Sequence, residues 1–540
     1  MAALANVNMI RIFQVKCESA KGIEAALLKK LKMNRQDLLS WKVHRKSLDA
    51  RGQKVLFSFT IDAEVKNEKK YLHKKDVVRA PDEHFEFTPK GVLPLENRPV
   101  VAGFGPAGMF AALLLAQMGY KPLVLERGQE IDERTKDVNT FWKEGILNPE
   151  SNVQFGMGGA GAFSDGKLTT RSKDLKARKI FEELVRFGAT SDILYEQHPH
   201  IGTDGFVRIV KGIRQEIEKL GGEFLFQAKL DDLEIEKDAN GQKKLKAIHV
   251  QDHGWIGCQA LIAAIGHSAS DTIRMLADRG LVMEAKPFAV GVRIEHLQDF
   301  INKAMLKERA ADPALIPARY QLTDTVSTGK GVYSFCMCPG GYVIPASSEE
   351  NTVVVNGMSY SDRAGENANA ALLVQVDASD TGPELFGGLD YQEQLEKKAF
   401  DLSGSYKAPV QLASDFVDGK LSDHFEQVKP TYALGTVFAD FNTLLPAPIA
   451  SSLKEALLAF EKKVPGFLDG AVMSGVETRS SSSIRILRNK ETLLASVEGF
   501  YPCGEGAGYA GGIMTSAIDG LRCAMALMDR FDKPAKCPLK

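Results

Sequence analysis

The 540-residue chain is 44% hydrophobic and 25% charged with a net charge of −1, the make-up of a globular protein of two or three domains. No apolar run approaches the ~18 residues of a membrane span, and Met1–Asn8 lacks the basic and apolar segments of a secretory signal, so a cytoplasmic protein is expected. Its seven cysteines are scattered and form no Cys-x-x-Cys, which excludes a zinc ribbon, argues for reduced thiols and leaves no metal to expect.

The charge is uneven. Residues 1–98 hold 20 Lys+Arg against 12 Asp+Glu, leaving 48 against 57 for the remainder. A basic unit, residues 1–95, is therefore expected as a separate domain with its linker. Met9–Lys16 alternates like a strand, and Gly22–Lys32 carries Ile23, Ala26, Leu27 and Leu31 on one helical face. Strand-like runs at Leu38–Leu48 and Val55–Val65 flank a turn at Asp49–Gln53. Together these predict a small β-α-β-β unit. Residues 66–98, charged and then rich in proline, read as a linker or a strap laid on the next domain. No aromatic-rich RNA-binding signature accompanies the basic excess, so a solvated face is preferred over a nucleic-acid surface.

Residues 96–284 are expected to form the first part of a dinucleotide-binding domain. Val100–Arg127 reads as strand, tight turn, helix, strand, with Gly103, Gly105 and Gly108 spaced G-x-G-x-x-G. The first glycine turns the chain off the strand, the second lets a pyrophosphate lie on backbone, and the third lets the helix pack closely. Pro106 and Ala107 open the helix, whose free N–H groups favour phosphate. Glu126, followed by Arg127, ends the next strand about 20 residues on, where an acid receives a ribose hydroxyl. The same spacing recurs at Gly156–Gly161 and Gly506–Gly511, but without strand, helix, strand and acid together. Only the first copy is a dinucleotide site.

The loop Gln154–Leu168 contains Gly159, Ala160, Gly161, Ser164 and Lys167, and its glycines let backbone approach a flat or phosphorylated ligand. Its flanking Phe155, Met157, Phe163 and Leu168 predict partial burial. Helices are predicted at Asp174–Phe187 and Phe206–Leu220, a strand at Glu223–Ala228, and a polar meander at Leu230–Val250 turning at Asn240-Gly241. The apolar strand Ala260–Ile265 then ends at Gly266. Residues 285–475 change character, with strands at Phe288–Ile294, Val332–Met337, Gly341–Pro345 and Thr352–Met358 and helices at Tyr391–Phe400 and Ser452–Lys462. They are expected to form an inserted α+β substrate or cap domain. Residues 476–540 return to the dinucleotide domain through Gly499–Gly508 and the apolar helix Gly511–Met528.

These pieces in this order resemble flavoprotein oxidoreductases with a glutathione-reductase-type FAD domain. More narrowly, Gly158–Leu168, Lys286–His296, Phe335–Tyr342, Val355–Tyr360, Gly365–Asn369 and Cys503–Gly512 resemble the bacterial family of FAD-dependent, or NAD(FAD)-utilising, dehydrogenases. The resemblance covers most of residues 98–530. It implies an α/β fold with a discontinuous Rossmann-type FAD domain, FAD as cofactor and an oxidoreductase, and it names no substrate. Two departures stand out: Ala264-Ile265-Gly266 replaces the usual Ala-Thr-Gly, and Glu505 stands where the wider superfamily often has Asp.

By motif, Gly504 and Glu505 are expected at a ribityl or sugar hydroxyl, and Gly511, Gly512 and Ile513 at a helix end aimed at the flavin. For the substrate, Arg293 is expected to hold an anionic group and His296 to act as acid or base, with Arg293–Glu295 as an alternative structural ion pair. Tyr342, Asn356 and Arg363 are further candidates, and Cys336, Cys338 and Cys503 are read as packing thiols. The middle of the chain lacks a second dinucleotide fingerprint, so NAD(P)H, if used, binds transiently. Three readings stay open: an FAD-dependent oxidoreductase of a small anionic molecule, a flavin-binding sensor or scaffold, and an RNA-modifying flavoprotein. Oligomeric state is not legible.

Overall fold

A computed structural model describes residues 8–49, 56–169, 174–313 and 315–535; residues 50–53 of the turn expected at 49–53, and Cys537, lie outside the described residues. The N-terminal unit is a four-stranded antiparallel sheet in the order Leu38–Asp49, Leu56–Val65, Met9–Cys17, Val77–Arg79. Helix Ile23–Leu31 covers it with Ile23, Leu27 and Leu31, the face set by the i, i+4 spacing. The last strand lies in the stretch expected to be linker, because Val77 supplies one more apolar residue to the same core. The edge strand docks on the neighbouring domain: Lys46 N–H donates to Tyr195 O at 2.6 Å, and Gln197 N–H to Lys46 O at 2.8 Å.

The stretch that follows is a strap. Gly91 N–H donates to Met528 O at 2.9 Å and Leu93 N–H to Arg530 O at 3.2 Å, while Asp532 N–H returns to Leu93 O at 2.9 Å. Leu95 is buried in the core of the dinucleotide domain.

That domain is a five-stranded parallel sheet in the order Phe500–Pro502, Leu261–Ala263, Val100–Ala102, Leu123–Glu126, Glu223–Phe226. The middle three are short apolar runs fully buried on both faces, as parallel strands covered by helices are. Helix Pro106–Gln117 packs directly on the C-terminal helix Ile513–Arg530, so residues some 400 apart in sequence close one layer. A three-stranded meander, Leu230–Lys237, Lys243–Val250 and Gly254–Gly257, follows, with Asn240-Gly241 in its first turn.

The second domain is built on a seven-stranded sheet in the order Thr323–Thr325, Gly331–Cys338, Asn367–Val376, Phe288–Leu297, Val472–Glu477, Ala408–Leu412, Thr436–Phe438. Every neighbouring pair is antiparallel except the last. Phe288, Val290, Val292 and Ile294 join Leu453, Leu457 and Phe460 of helix Ala447–Lys463 in one core. The sheet includes Val472–Glu477, which straddles the boundary expected at 475/476. Strand Asn367–Val376 was not expected: it is buried at nine of ten positions, so it shows none of the alternation by which a half-buried strand is read.

The strap sets where the N-terminal unit can be removed. Deleting residues 1–80 leaves the backbone pairing at 91–95 in place; deleting 1–97 strips it. The shorter chain is expected to melt several degrees below the longer one, at ~2–4 °C per kcal/mol lost. Thermal melts of the two truncations check this, and equal melting temperatures would show that the strap contributes nothing.

Candidate cofactor site and substrate cleft

A cleft of about 1590 Å³, counted to its solvent-open mouth, runs past the C-terminal ends of the parallel strands and between the two larger domains, where open α/β sheets bind ligands. Gly103, Gly105, Pro106 and Ala107 line it. Gly103 has φ +97°, and a Cβ there would strike Ala264 O, so the turn off the strand requires glycine. Gly108 does not reach the cleft; a Cβ there would strike Gly103 O and approach Val101 Cγ1 to 3.2 Å. Its part is the close packing of helix on strand.

Glu126 lines the cleft but is only 4% exposed. Its carboxylate accepts N–H groups from Phe104, Gly128 and Gly156, each at 3.0 Å. Oε1 takes two and Oε2 one, which leaves Oε2 an acceptor site for a ribose hydroxyl. Glu126 therefore holds two loops together as well as facing the cofactor.

The second of those loops is held from its other side by Arg134, which sequence reasoning missed. Its guanidinium is fully buried and donates to the carbonyls of Asn152 (2.9 Å), Val153 (3.0 Å), Gly156 (3.2 Å), Met157 (2.9 Å) and Gly159 (2.9 Å). Burial pulls its pKa down to about 10, against the pull of Glu126. Gly156 has φ +118°, and a Cβ there would collide with Arg134 Cδ. The loop so held places Phe155, Gly159, Ala160, Gly161 and Ser164 on the cleft, while Met157, Phe163 and Leu168 are buried away from it.

Arg127 and Lys229 stand at the end of the cleft beyond Glu126. Arg127 bonds Glu150 at 2.8 Å and Asp271 through two bonds at 3.0 and 3.1 Å, with its guanidinium 3.9 Å from the centre of the Phe155 ring. Burial opposes its charge, but the two acids outweigh burial and hold the pKa above its ordinary value.

At the other end, Gly266, Glu505, Gly512 and Ile513 line the cleft; Gly504 and Gly511 do not. Gly504 N–H instead donates to Asp519 at 2.8 Å, and Asp519 is paired with Arg488 at 2.6 and 3.0 Å. Glu505 accepts Gly512 N–H at 3.3 Å. The C-terminal helix starts at Ile513 with no side-chain cap, so its positive end is open to the cleft. A Cβ built at Gly266, Gly511 or Gly512 would meet nothing within 4 Å. Gly266 and Gly512 thus present bare backbone to the cleft with room beside them for a flat ligand.

Cys503 also borders the cleft. With Asp519 and Cys523 it forms a buried group whose ligand atoms lie within 4.8 Å of one another. Arg488, paired with Asp519 and 3.5 Å from Cys523 Sγ, already supplies the positive charge there.

The wall opposite comes from the second domain: Phe335, Cys336, Cys338, Asn356, Gly357 and Glu477. Arg293, expected in the cleft or paired with Glu295, is in neither place. It is fully buried behind this wall and grips Glu477 through Nε (2.6 Å) and Nη2 (2.7 Å). It also donates to Asn369 at 2.8 Å and Asn356 at 3.3 Å. Burial opposes the charge, but Glu477 outweighs it and keeps Arg293 protonated. Glu295 is occupied elsewhere, accepting from Thr431 Oγ1 at 2.6 Å and Asn367 at 3.1 Å. Arg293 is a positioning residue for Glu477 and Asn356.

His296 is not in the cleft either. Its Nε2 lies 2.8 Å from Phe467 O, and its ring packs against Phe300, Tyr320 and Phe467 in the domain core. Strand parity carries the explanation: successive side chains alternate faces, so 296 falls with Phe288, Val290, Val292 and Ile294, and 293 falls on the opposite face. The alternation was available in the sequence. Lys167 lines the cleft and donates to Met337 O. Its Nζ is 3.8 Å from Asp165, which is paired with Arg363 at 2.7 Å and accepts from Ser359. Tyr342 does not border the cleft.

Two outcomes follow. Lysine at 134 has three donors for five carbonyl bonds; Arg134→Lys is expected to weaken FAD retention ~10-fold or more, about 1.4 kcal/mol, read by titrating FAD into apoprotein. Unchanged retention would mean the loop holds its shape without the guanidinium. Burial also lowers the His296 pKa to about 4, against ~6.5 unfolded. The unfolded chain therefore binds the extra proton between those values, and stability falls as pH drops through that window, by up to ~3 kcal/mol. His296→Phe is expected to remove that part of the fall. Denaturant unfolding of parent and variant at about pH 7 and about pH 5 reads the difference; parallel pH dependences would return His296 to an ordinary, solvated environment.

Comparison with known proteins identifies residues 287–480 as matching the family "FAD-dependent protein, C-terminal domain-like" and residues 9–64 as matching a domain of unknown function, DUF8436. An uncharacterised protein of Clostridium beijerinckii is 45% identical over 520 residues, 95% of this chain and 96% of that protein. Among solved structures, the halogenase PltM (10% identity, TM-score 0.35, 80% of this chain and 69% of that one) and L-proline dehydrogenase from P. horikoshii (10%, 0.33, 81% and 94%) are similar only at a level that carries no argument. No helix among the described residues is long and apolar enough to cross a membrane. The cofactor is FAD, and the chain belongs to the family of the Clostridium beijerinckii protein.

Proposed function

We propose that the protein is an FAD-dependent oxidoreductase, dehydrogenase-like, acting on a small molecule held between the flavin end of the cleft and the second domain's sheet. The supporting observation is the opposition of two walls. On one side stand Gly266, Glu505 and the uncapped start of the C-terminal helix; on the other stand Cys336, Asn356 and Glu477, all bordering one cleft. FAD supplies hydride or one-electron chemistry when bound. The protein's share is to bind, orient and exclude water. The helix start favours negative charge building at its end of the cleft. Arg293 holds Glu477 and Asn356 on the facing wall.

The sheet of the second domain is antiparallel in all but one pair, which is not a dinucleotide-binding plan. A nicotinamide donor would thus bind transiently in the same cleft, or another donor would replace it.

Purified protein is expected to be yellow, to release FAD on denaturation, and to have its flavin bleached anaerobically by dithionite and reoxidised by an added acceptor. NADH and NADPH serve as the first physiological donors to compare. Protein that takes up no FAD, or flavin that no reductant bleaches, would overturn the reading.

A further inference from the structure

We infer that an anion-binding site lies where the three units meet, formed by Arg319, Lys167 and Arg45 around His198, and that it receives the phosphate or carboxylate group of the substrate. The substrate assignment rests on the oxidoreductase reading above.

Arg319 belongs to the second domain and is half-buried. Its Nη2 donates to His198 Nδ1 at 2.7 Å, its only hydrogen bond among the described residues. His198 therefore accepts at Nδ1, carries its proton on Nε2 and is neutral. No carboxylate lies within ion-pair distance of Arg319 among the described residues. The nearest acid acting on it is Asp165, already paired with Arg363 at 2.7 Å. Asp192 and Asp165 act on His200.

The remaining cations come from the other units. Lys167 borders the flavin cleft and pairs across a β-bridge with His200. Arg45 is brought in by the docked edge of the N-terminal sheet, where Lys46 pairs with the backbone at Tyr195 and Gln197. The Lys46 side chain is taken up by Glu196 at 2.5 Å, whereas Arg45 is exposed and forms no ion pair among the described residues. The positive field of Arg319, Arg45, Arg363 and Lys167, after burial, holds the His198 pKa down to about 4. Burial and Arg363 likewise pull Arg319 down to about 10.

A desolvated guanidinium without a carboxylate is costly, and an incoming anion relieves that cost. The planar fork of arginine suits a carboxylate or phosphate. The recessed position of Arg319 and the 23% exposure of the Lys167 side chain fit a small anionic group better than a nucleic-acid backbone, which needs an exposed basic stripe. The site also gives the N-terminal unit a part in the chemistry: it brings one of the cations to His198.

The test uses the full-length, FAD-loaded protein with inorganic phosphate and acetate as probes, followed by calorimetry and by perturbation of the flavin spectrum. Saturable binding of at least one probe is expected. Arg319→Gln should weaken it ~10-fold with FAD content and Tm unchanged, and Arg45→Gln should weaken it less. Lys136→Gln, at an exposed helix pair with Glu133, should match the parent. If Arg319→Gln unfolds, Arg319→Lys keeps the charge without the fork and should still bind the probe more weakly than the parent. The site is overturned if neither probe binds the FAD-loaded parent, or if the Arg319 variants bind as the parent does. It is also overturned if tRNA binds with a steep salt dependence and neither small anion competes. Absence of flavin reduction with anion binding intact would remove the oxidoreductase reading and leave the site standing.

Discussion

Everything in the cofactor site depends on how one buried positive charge is spent. Arg134 gives its guanidinium to five backbone carbonyls between Asn152 and Gly159, while Glu126 takes the amides of Phe104, Gly128 and Gly156. The loop is too rich in glycine to hold a shape by itself. It is held because an acid and a base, both removed from water, satisfy the peptide groups that the loop cannot satisfy within itself. A lone buried charge would cost several kcal/mol; here the carbonyl dipoles and the nearby carboxylate offset it. The same bonds fix where Gly159, Ala160 and Gly161 stand relative to the glycine turn at Gly103–Gly108.

The facing wall is organised on the same principle. Arg293 and Glu477 are both buried and bonded twice to one another, and the pair extends to Asn356 and Asn369. Arg479 repeats the arrangement nearby, bonding Glu396 at 2.7 and 2.9 Å. Removing one partner of such a pair leaves the other charged and unpaired, so these pairs make the wall rigid even where they add little net stability. A rigid wall holds a substrate at a fixed distance from a flavin. Arg479 touches the cleft itself, whereas Arg293 acts only through Glu477 and Asn356.

The three units are joined at places of different strength. The strap at residues 91–95 adds backbone bonds to the end of the C-terminal helix, and helix Pro106–Gln117 packs on that same helix. The two ends of the FAD domain are thereby tied across the inserted sheet. The N-terminal unit keeps its own core and touches the rest through a strand edge, through Leu315 packed against that core and through Arg309 over the Phe57 ring. That docking brings Arg45 towards His198 without burying it.

The sequence by itself determined the parallel βαβ unit, the order of the cofactor segments and the β-α-β-β start of a basic N-terminal unit with its own core. These are carried by local spacing: glycines three and two apart, an acid at a strand end, a change in charge density. It also held, in the parity of Phe288–Leu297, the information that 293 and 296 face opposite ways. Tertiary structure alone decided the partners. Arg293 could not be matched to Glu477, 184 residues away, from a strand that offers Glu295 two positions on. Arg134 sits in the amphipathic helix Ile131–Glu144 on the same face as Ile131, Val138 and Phe141, so the spacing marks it as inward-facing but not which carbonyls it binds. Strand Asn367–Val376 is buried on both faces, so its place in the middle of the sheet left no period to read. Periodicity reports one surface against solvent; it is silent about which two buried polar groups meet, because that depends on how separate elements are brought together in space.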